Sequence, residues 1–143
     1  MKAISRSSRT AWLLVGDIAA LALVTVVGFA THGELATATL RMLTTFIPLS
    51  VAWLLVGPHL GVLTLERATD IRQVWRPFWA MILAAPLAAW LRGLWLNAPI
   101  LPVFVAVLAG TSAVALLVWR VLFAWYMGRR AGQQVSPEKM NYG

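Results

Sequence analysis

Four long apolar segments, separated by short polar stretches, dominate the chain. They cover about residues 11–31, 35–57, 77–96 and 102–127. An α-helix rises about 1.5 Å per residue, so about 20 apolar residues cross the roughly 30 Å hydrocarbon core of a bilayer. The pattern therefore predicts an all-α fold, a four-helix transmembrane bundle, formed as a single domain over residues 11–127.

The two ends of the chain differ from this apolar domain. Residues 1–10 form a basic leader, and residues 128–143 form a polar tail that we expect to be disordered. A cleaved signal peptide is an alternative interpretation of the first apolar segment. Its apolar region would be about 7–15 residues long and free of acidic residues, whereas this segment is longer and carries Asp17. We therefore interpret the segment as a membrane anchor.

Composition agrees with a membrane protein. Apolar residues make up 60% of the chain and charged residues only 12%, against about 25% charged residues in average soluble proteins. Eight Trp residues fit a chain that crosses membrane–water interfaces, where indole rings collect. The net charge of +7 does not indicate nucleic-acid binding, because that needs a basic face on a soluble fold.

The positions of Lys and Arg predict the orientation in the membrane. Nine of them lie in the leader, the 58–76 loop and the tail, whereas only Arg41 and Arg92 lie near the two opposite turns. Basic residues concentrate on the cytoplasmic side of membrane proteins. We therefore predict that both termini are cytoplasmic.

Two features of the 58–76 loop are predicted in more detail. The dipeptide Gly57-Pro58 is expected to end the second helix. Residues 66–76 are expected to include a short helix on the membrane surface, with Trp75 and Trp79 facing the lipid headgroups.

Asp17 and Arg120 are charged residues inside apolar segments, where an isolated charge costs roughly 2.5–3.5 kcal/mol. Asp17 lies roughly 8 Å past the cytoplasmic start of the first helix, and Arg120 lies roughly 10 Å inside the cytoplasmic end of the last. Their matched depths predict a candidate intramembrane ion pair. We favour a static clamp between the two helices over a proton or ion relay or a polar-ligand site, because Arg does not deprotonate in proteins.

A candidate outer polar cluster is predicted at the opposite end of the bundle, formed by His32, Glu34, Arg41 and Arg92. The simpler interpretation is that these residues pair with one another among the headgroups. The functional alternative is an anion or headgroup site, with Arg41 and Arg92 as donors and His32 titrating near neutral pH. One His and one carboxylate are too few to indicate a metal site.

Pro48 and Pro86 fall within the second and third apolar segments and predict helix kinks. The backbone groups freed near Pro48 could be satisfied by Thr44, Thr45 and Ser50. Broken helices line binding sites in transporters. Because proline is common in membrane helices, however, we favour plain kinks.

No sequence motif for catalysis is present. The chain has no Cys, which excludes disulfides, Cys-ligated metals and thiol catalysis. It contains no Walker, HExxH or GxSxG motif. We identify no catalytic residue and no cofactor, and we expect a protein that is not an enzyme. Whether a pigment or a lipid lies between the helices stays open.

Several short motifs recur through the apolar region in a specific order: Asp17; Gly28-Phe29-Ala30-Thr31-His32-Gly33-Glu34; Thr45, Pro48 and Trp53; Pro86-Leu87 and Leu91-Arg92; Pro99, Pro102 and Phe104; and Trp119-Arg120. Over about residues 12–122 they resemble the DUF3054 family of small prokaryotic membrane proteins, whose activity is uncharacterised. The resemblance implies a four-helix fold in a prokaryotic cell (inner) membrane and no known reaction. The family commonly has a basic residue after the first glycine, where this chain has Phe29, which would weaken an outer anion site.

Three functions are considered. The first is a small solute or ion carrier that uses the outer cluster and the level of Asp17 and Arg120. Four spans leave little room for a pathway, so such a carrier would need to be a homodimer. The second is a non-catalytic accessory or assembly subunit of a larger membrane protein complex. A membrane enzyme acting on lipids ranks last, because no nucleophile–base pair is visible. The expected partners are the lipid bilayer and either other membrane subunits or a second copy of the chain.

Overall fold

The computed structural model describes residues 6–31 and 39–134, with side-chain exposure for residues 7–31 and 39–129. The chain forms five α-helices and one short 3₁₀ turn in these ranges: α1 (Arg6–Thr31), α2 (Thr39–His59), α3 (Leu65–Ala68), the 3₁₀ turn (Ile71–Gln73), α4 (Trp75–Leu96) and α5 (Pro102–Gln134). The described residues contain no strand.

Four segments of this structure are long and apolar enough to cross a membrane: Ser7–Thr31, Thr39–His59, Ile71–Leu96 and Pro102–Arg129. Large apolar side chains remain exposed on all four, among them Leu40 at 77% and Val103 at 76%. Such a surface suits hydrocarbon, since lipid tails are as apolar as the side chains they contact. The predicted fold, an all-α bundle of four potential membrane spans, is confirmed.

Helix ends differ from the limits of the apolar segments. α1 begins at Arg6 instead of residue 11, and α4 begins at Trp75 instead of residue 77. α5 continues to Gln134, so the first part of the predicted polar tail is helical. Hydrophobicity locates the part of a helix that lies in lipid, whereas backbone hydrogen bonds continue through polar residues. Residues 35–38 of the second apolar segment lie outside the described residues.

The four long helices pack as a ring in the order α1, α2, α4 and α5. α2 packs most extensively on α4, α4 also packs on α5, and α1 packs on α5 and α2. α4 contributes a stripe of buried alanines, Ala80, Ala84 and Ala88, to the main core. Small side chains let helix backbones approach closely in a membrane, where packing replaces the hydrophobic effect as the cause of association.

The helices continue through both internal prolines. Pro48 lies within α2 and Pro86 within α4. The hydroxyls of Thr44 and Thr45 donate to the Arg41 carbonyl at 2.9 and 3.1 Å, so they do not serve the backbone next to Pro48 as expected. The Ser50 hydroxyl is buried and has no hydrogen-bond partner among the described residues. Kinks at the two prolines stay a prediction.

The end of α2 is set by a glycine and not by the predicted Gly57-Pro58 stop, which lies inside the helix. A proline in the last turn removes one hydrogen bond but keeps a helical φ. Gly61 has a left-handed φ of 64°, and its N–H donates to the Pro58 carbonyl at 3.0 Å. The Val62 N–H donates to the Gly57 carbonyl at 3.2 Å. This Schellman arrangement turns Val62 into the bundle, where it is buried.

The loop between α2 and α4 contains two short helical pieces, α3 and the 3₁₀ turn, at the place where the sequence predicts a short helix. α3 packs against α1 and α5 and so covers one end of the bundle. Asp70 accepts a hydrogen bond from the Arg72 N–H at 2.9 Å and caps the 3₁₀ turn. Trp75 and Trp79, in the first turns of α4, are 53% and 56% exposed.

Candidate functional site

Asp17 of α1 and Arg120 of α5 form a two-pronged ion pair inside the bundle. Arg120 Nε donates to Asp17 Oδ1 at 3.0 Å, and Arg120 Nη2 donates to Asp17 Oδ2 at 2.6 Å. Asp17 is 0% exposed and Arg120 is 1% exposed. Two parallel bonds of this kind fix the relative orientation of the side chains as well as their separation.

Trp53 of α2 and Val62 of the following loop complete the hydrogen bonds of the ion pair. Trp53 Nε1 donates to Asp17 Oδ2 at 3.2 Å, and Arg120 Nη1 donates to the Val62 carbonyl at 2.6 Å. Both residues are buried. These four residues, Asp17, Trp53, Val62 and Arg120, form a group that we call the clasp, and it joins α1, α2, α5 and the loop after α2.

Additional hydrogen bonds make a buried ion pair tolerable. Removing each ion from water costs several kcal/mol, and the attraction between the ions offsets this only when their other polar atoms are also bonded. In the clasp, both carboxylate oxygens of Asp17 accept hydrogen bonds, and all three guanidinium nitrogens of Arg120 donate one. This arrangement is suited to holding helices together, because Arg keeps its proton and both carboxylate oxygens of Asp17 are already hydrogen-bonded.

A glycine beside the clasp makes room for a second tryptophan. An ideal Cβ built on Gly16 would overlap the indole of Trp119. The contact between α1 and α5 therefore requires a residue without a side chain at position 16. The Trp119 indole lies beside Asp17. Its Nε1 is buried, however, and makes no hydrogen bond of good geometry within the described residues. Its ring packs against Phe123 with 5.8 Å between centroids. Packing therefore holds this indole in place.

The outer end of the bundle contains two of the four predicted cluster residues. Arg41 of α2 and Arg92 of α4 are electrostatic neighbours. The Arg92 guanidinium carbon lies 5.0 Å from the centroid of the Phe104 ring. Arg92 Nε is buried and has no hydrogen-bond partner among the residues that the structure describes. His32 and Glu34 lie outside the described residues, so the structure describes only Arg41 and Arg92 of the predicted cluster.

A small cavity lies under α3, at the opposite end of the bundle. Its volume is about 10 Å³ and its accessible wall is apolar, although Arg67, Gln73, Arg76 and Arg120 are among the residues around it. Arg76 Nε and Gln73 Oε1 are buried and have no hydrogen-bond partner within residues 6–31 and 39–134. In the sequence, Arg67 and Arg76 indicate only the orientation of the chain in the membrane. Nothing in their spacing indicates that α3 folds back over the bundle.

Two members of the clasp are not identified from the sequence. Trp53 lies inside an apolar segment and not at its end, and a buried indole N–H needs an acceptor. That signal was available and pointed to Asp17, a carboxylate at similar depth. Val62 contributes only its backbone carbonyl. Every residue type has this group, so the sequence does not indicate which carbonyl accepts a hydrogen bond from Arg120.

The described residues hold no group of three His, Cys, Asp or Glu side chains that could bind a metal ion. The fold and the clasp define a small α-helical protein with four helices long and apolar enough to cross a membrane and a buried Asp–Arg pair. The chain belongs to the family described as "Protein of unknown function (DUF3054)", whose model matches residues 14–123. The matched range includes the whole clasp, and the resemblance noted in the sequence is confirmed. No curated protein and no solved structure matches the chain.

Proposed function

We propose that this protein is a carrier of small anions in a prokaryotic cell (inner) membrane, with both termini cytoplasmic and with Arg41 and Arg92 as the outer binding site. The observation that supports this most directly is the state of Arg92. Its Nε is buried without a hydrogen-bond partner in the described chain, and a second guanidinium, that of Arg41, lies nearby.

Two cations near each other at the end of a bundle attract an anion. Like charges repel strongly where the dielectric constant is low, and an anion bound beside both would offset this repulsion by its attraction to each of them. The planar guanidinium groups match the geometry of carboxylate and phosphate oxygens. The Phe104 ring under Arg92 holds the guanidinium in place through a cation–π contact.

A transport route would run between two copies of the chain. The clasp fills the interior near the other end, where Asp17 and Arg120 are buried and hydrogen-bonded. The cavity under α3 and the groove between Ser7 and Glu66 also lie at that end, and neither includes Arg92 in its lining. A homodimer would supply the missing path along the helix surfaces.

The carrier is tested in liposomes that contain purified protein and are loaded in turn with chloride, sulfate and phosphate. At least one anion should exchange faster than in empty liposomes, and Arg92→Ala should abolish the exchange. Arg129→Ala is the matched control, because Arg129 is exposed at the other end of α5, over Trp125. Equal flux in empty liposomes, or undiminished flux in Arg92→Ala, would contradict the carrier.

A second candidate is a non-catalytic accessory or assembly subunit of a larger membrane complex. The clasp favours it, since a bundle with paired buried charges provides a rigid surface without needing its own pathway. Purification from native membranes in mild detergent separates the two candidates. A stable larger complex would favour the subunit, whereas a homodimer alone would favour the carrier.

A further inference from the structure

One face of α5 changes from charged to aromatic to aliphatic toward the middle of the helix. Its residues recur every three or four positions and therefore share one side of the helix: Arg129, Trp125, Leu122 and Val118. All four are exposed, and the three apolar ones are each more than half exposed. Arg129 is also the last residue of the candidate span Pro102–Arg129, so its charge lies where an apolar span meets water.

The indole of Trp125 supports the guanidinium of Arg129. The guanidinium carbon lies 3.9 Å from the centroid of the ring, well within the about 6 Å range of a cation–π contact. Such a contact uses the face of the guanidinium, so the N–H groups at its edge stay available as donors to an anionic oxygen. The exposed indole therefore presents a positioned anion donor on the surface of α5.

The start of α4 repeats this order at the same end of the bundle. The guanidinium carbon of Arg76 lies 5.3 Å from the centroid of the Trp75 ring, and Trp79 and Leu83 follow as exposed apolar residues one turn apart. Arg76 is also held by the loop, because its Nη1 donates to the Leu60 carbonyl at 3.4 Å.

The opposite end of α4 lacks this arrangement. Its indoles, Trp90 and Trp95, are also more than half exposed, but no guanidinium lies over either ring within the described residues. The pairing of Arg with an exposed Trp is therefore confined, in the part of the chain that the structure describes, to the end that carries α3.

The same end has an excess of positive charge. Five arginines with described side chains lie there: Arg9, Arg67, Arg72, Arg76 and Arg129. The acidic residues at this end of the described chain are Glu66 and Asp70, because Asp17 is already paired with Arg120 inside the bundle. Five against two leaves an excess of three positive charges even if each carboxylate neutralises one arginine.

The order of residue types on α5 matches the parts of a phospholipid. A phosphate fits the guanidinium, the ester region fits the indole, and an acyl chain fits the aliphatic residues below them. Indole rings collect at the membrane interface, and basic residues beside the cytoplasmic leaflet attract its anionic lipids. A soluble polyanion would use the charge alone and leave the exposed apolar residues uncovered.

We propose that this face of α5 binds an anionic phospholipid, with Arg129 as the donor to its phosphate and Trp125 beside its ester region. Arg76 and Trp75 form a second contact of the same kind on α4. The proposal rests on the membrane placement proposed above and does not require transport. Failure of the anion-exchange experiment would therefore contradict the carrier and leave this lipid site in place.

The test uses the full-length protein in a neutral detergent at constant ionic strength. Its melting temperature is measured with added phosphatidylglycerol, with phosphatidylcholine of the same acyl chains, or with heparin as a soluble polyanion. Phosphatidylglycerol should raise the melting temperature more than either of the others. An equal rise with phosphatidylcholine or with heparin, or no rise with phosphatidylglycerol, would overturn the proposal.

Variants then locate the binding site. Arg129→Gln should weaken the apparent affinity for phosphatidylglycerol by roughly fivefold, the effect of one basic residue at an anionic membrane surface. Trp125→Leu should also weaken it, because the guanidinium loses its support. Both side chains are exposed, so both variants should melt like the wild type in detergent without lipid, which separates lost binding from lost folding.

Two controls remove an arginine elsewhere. Arg72→Gln changes an exposed arginine at the same end, and Arg92→Ala changes the outer end. Each should keep the wild-type affinity for phosphatidylglycerol within about twofold, well short of the loss of one surface contact. A loss in Arg72→Gln equal to that in Arg129→Gln would show diffuse attraction, and an equal loss in Arg92→Ala would show binding at the outer end. Either result would overturn the proposal.

A second copy of the chain is the other occupant that this face of α5 could take. Light scattering of the lipid-free protein tests it, because Arg129→Gln and Trp125→Leu should leave the mass of the protein in detergent unchanged. A wild-type dimer that either variant dissociates would show that a second copy covers the face, and would overturn the lipid site.

Discussion

Trp53 donates its indole hydrogen bond to the same carboxylate oxygen of Asp17 that accepts from Arg120. One oxygen atom therefore joins a side chain of α2 to an ion pair between α1 and α5. A buried indole N–H has no water as an alternative partner, so Asp17 fixes the position of α2 while it neutralises a charge on α5.

Removing one charge of the ion pair should destabilise the bundle strongly. Asp17→Asn leaves the Arg120 charge buried and unbalanced, and we expect a loss of about 3–5 kcal/mol in the free energy of unfolding. The double variant Asp17→Asn with Arg120→Gln should recover part of this loss, because two neutral amides can bond to each other. Equilibrium unfolding in mixed micelles with increasing denaturing detergent measures both values.

The matched control for this cycle is Arg129→Gln, which removes an exposed Arg from the same helix and should change stability by less than about 0.5 kcal/mol. Additive losses in the single and double variants would show that Asp17 and Arg120 are not coupled.

Trp53→Phe should remove a hydrogen bond from the clasp while keeping most of the packed ring. Because the acceptor is charged, we expect a loss of about 1.5–3 kcal/mol in the free energy of unfolding. Trp79→Phe provides the control, since that indole is 56% exposed. The same unfolding experiment compares them, and equal effects would mean that the bond from Trp53 to Asp17 contributes nothing measurable.

Gly16→Ala should separate α1 from α5 at the level of the clasp. The new methyl group would overlap the Trp119 indole, and such overpacking costs about 1–3 kcal/mol. Adding Trp119→Phe, which replaces the indole with a smaller ring, should restore part of the stability. Thermal unfolding followed by size-exclusion chromatography in detergent reports the change.

Gly28→Ala is the control for this contact, because its Cβ would meet nothing within 4 Å. A helical Ala in place of Gly is expected to be neutral or to stabilise by about 0.5–1 kcal/mol. If the variants at Gly16 and Gly28 behaved alike, the close approach of Trp119 would be contradicted.

The predicted orientation can be tested by labelling, because the chain has no native Cys. Thr69→Cys and Asn97→Cys place single thiols at exposed positions in loops at opposite ends of the bundle. In intact cells an impermeant maleimide should label Cys at position 97, and position 69 should react only after permeabilisation. The opposite pattern would reverse the predicted topology.

The spans were predictable from the sequence because lipid imposes a simple rule. Each apolar segment is long enough to cross the bilayer, and α2 and α4 needed no tertiary information to be located. The helix ends were less predictable, as α5 shows by continuing to Gln134. Backbone hydrogen bonding decides where a helix ends, and it does not depend on the apolar character that marks a span.

The clasp was only partly predictable. The charges of Asp17 and Arg120 stand out in an apolar chain, and depth along the helices suggested their pairing. The bond from Arg120 to the Val62 carbonyl depends on the left-handed φ of Gly61, which is 64°. The path of a loop after a helix is set by such local turns, and the sequence pattern of apolar and polar residues does not encode it.

Asp17 and Arg120 are 103 residues apart in the chain. At a synthesis rate of roughly 5–20 residues per second, the ribosome adds Arg120 roughly 5–20 s after Asp17. Throughout that interval α1 carries an acid whose basic partner does not yet exist. During that time either the other apolar residues of α1 meet the insertion cost of Asp17, roughly 2.5–3.5 kcal/mol, or the insertion machinery shelters α1 until α5 arrives.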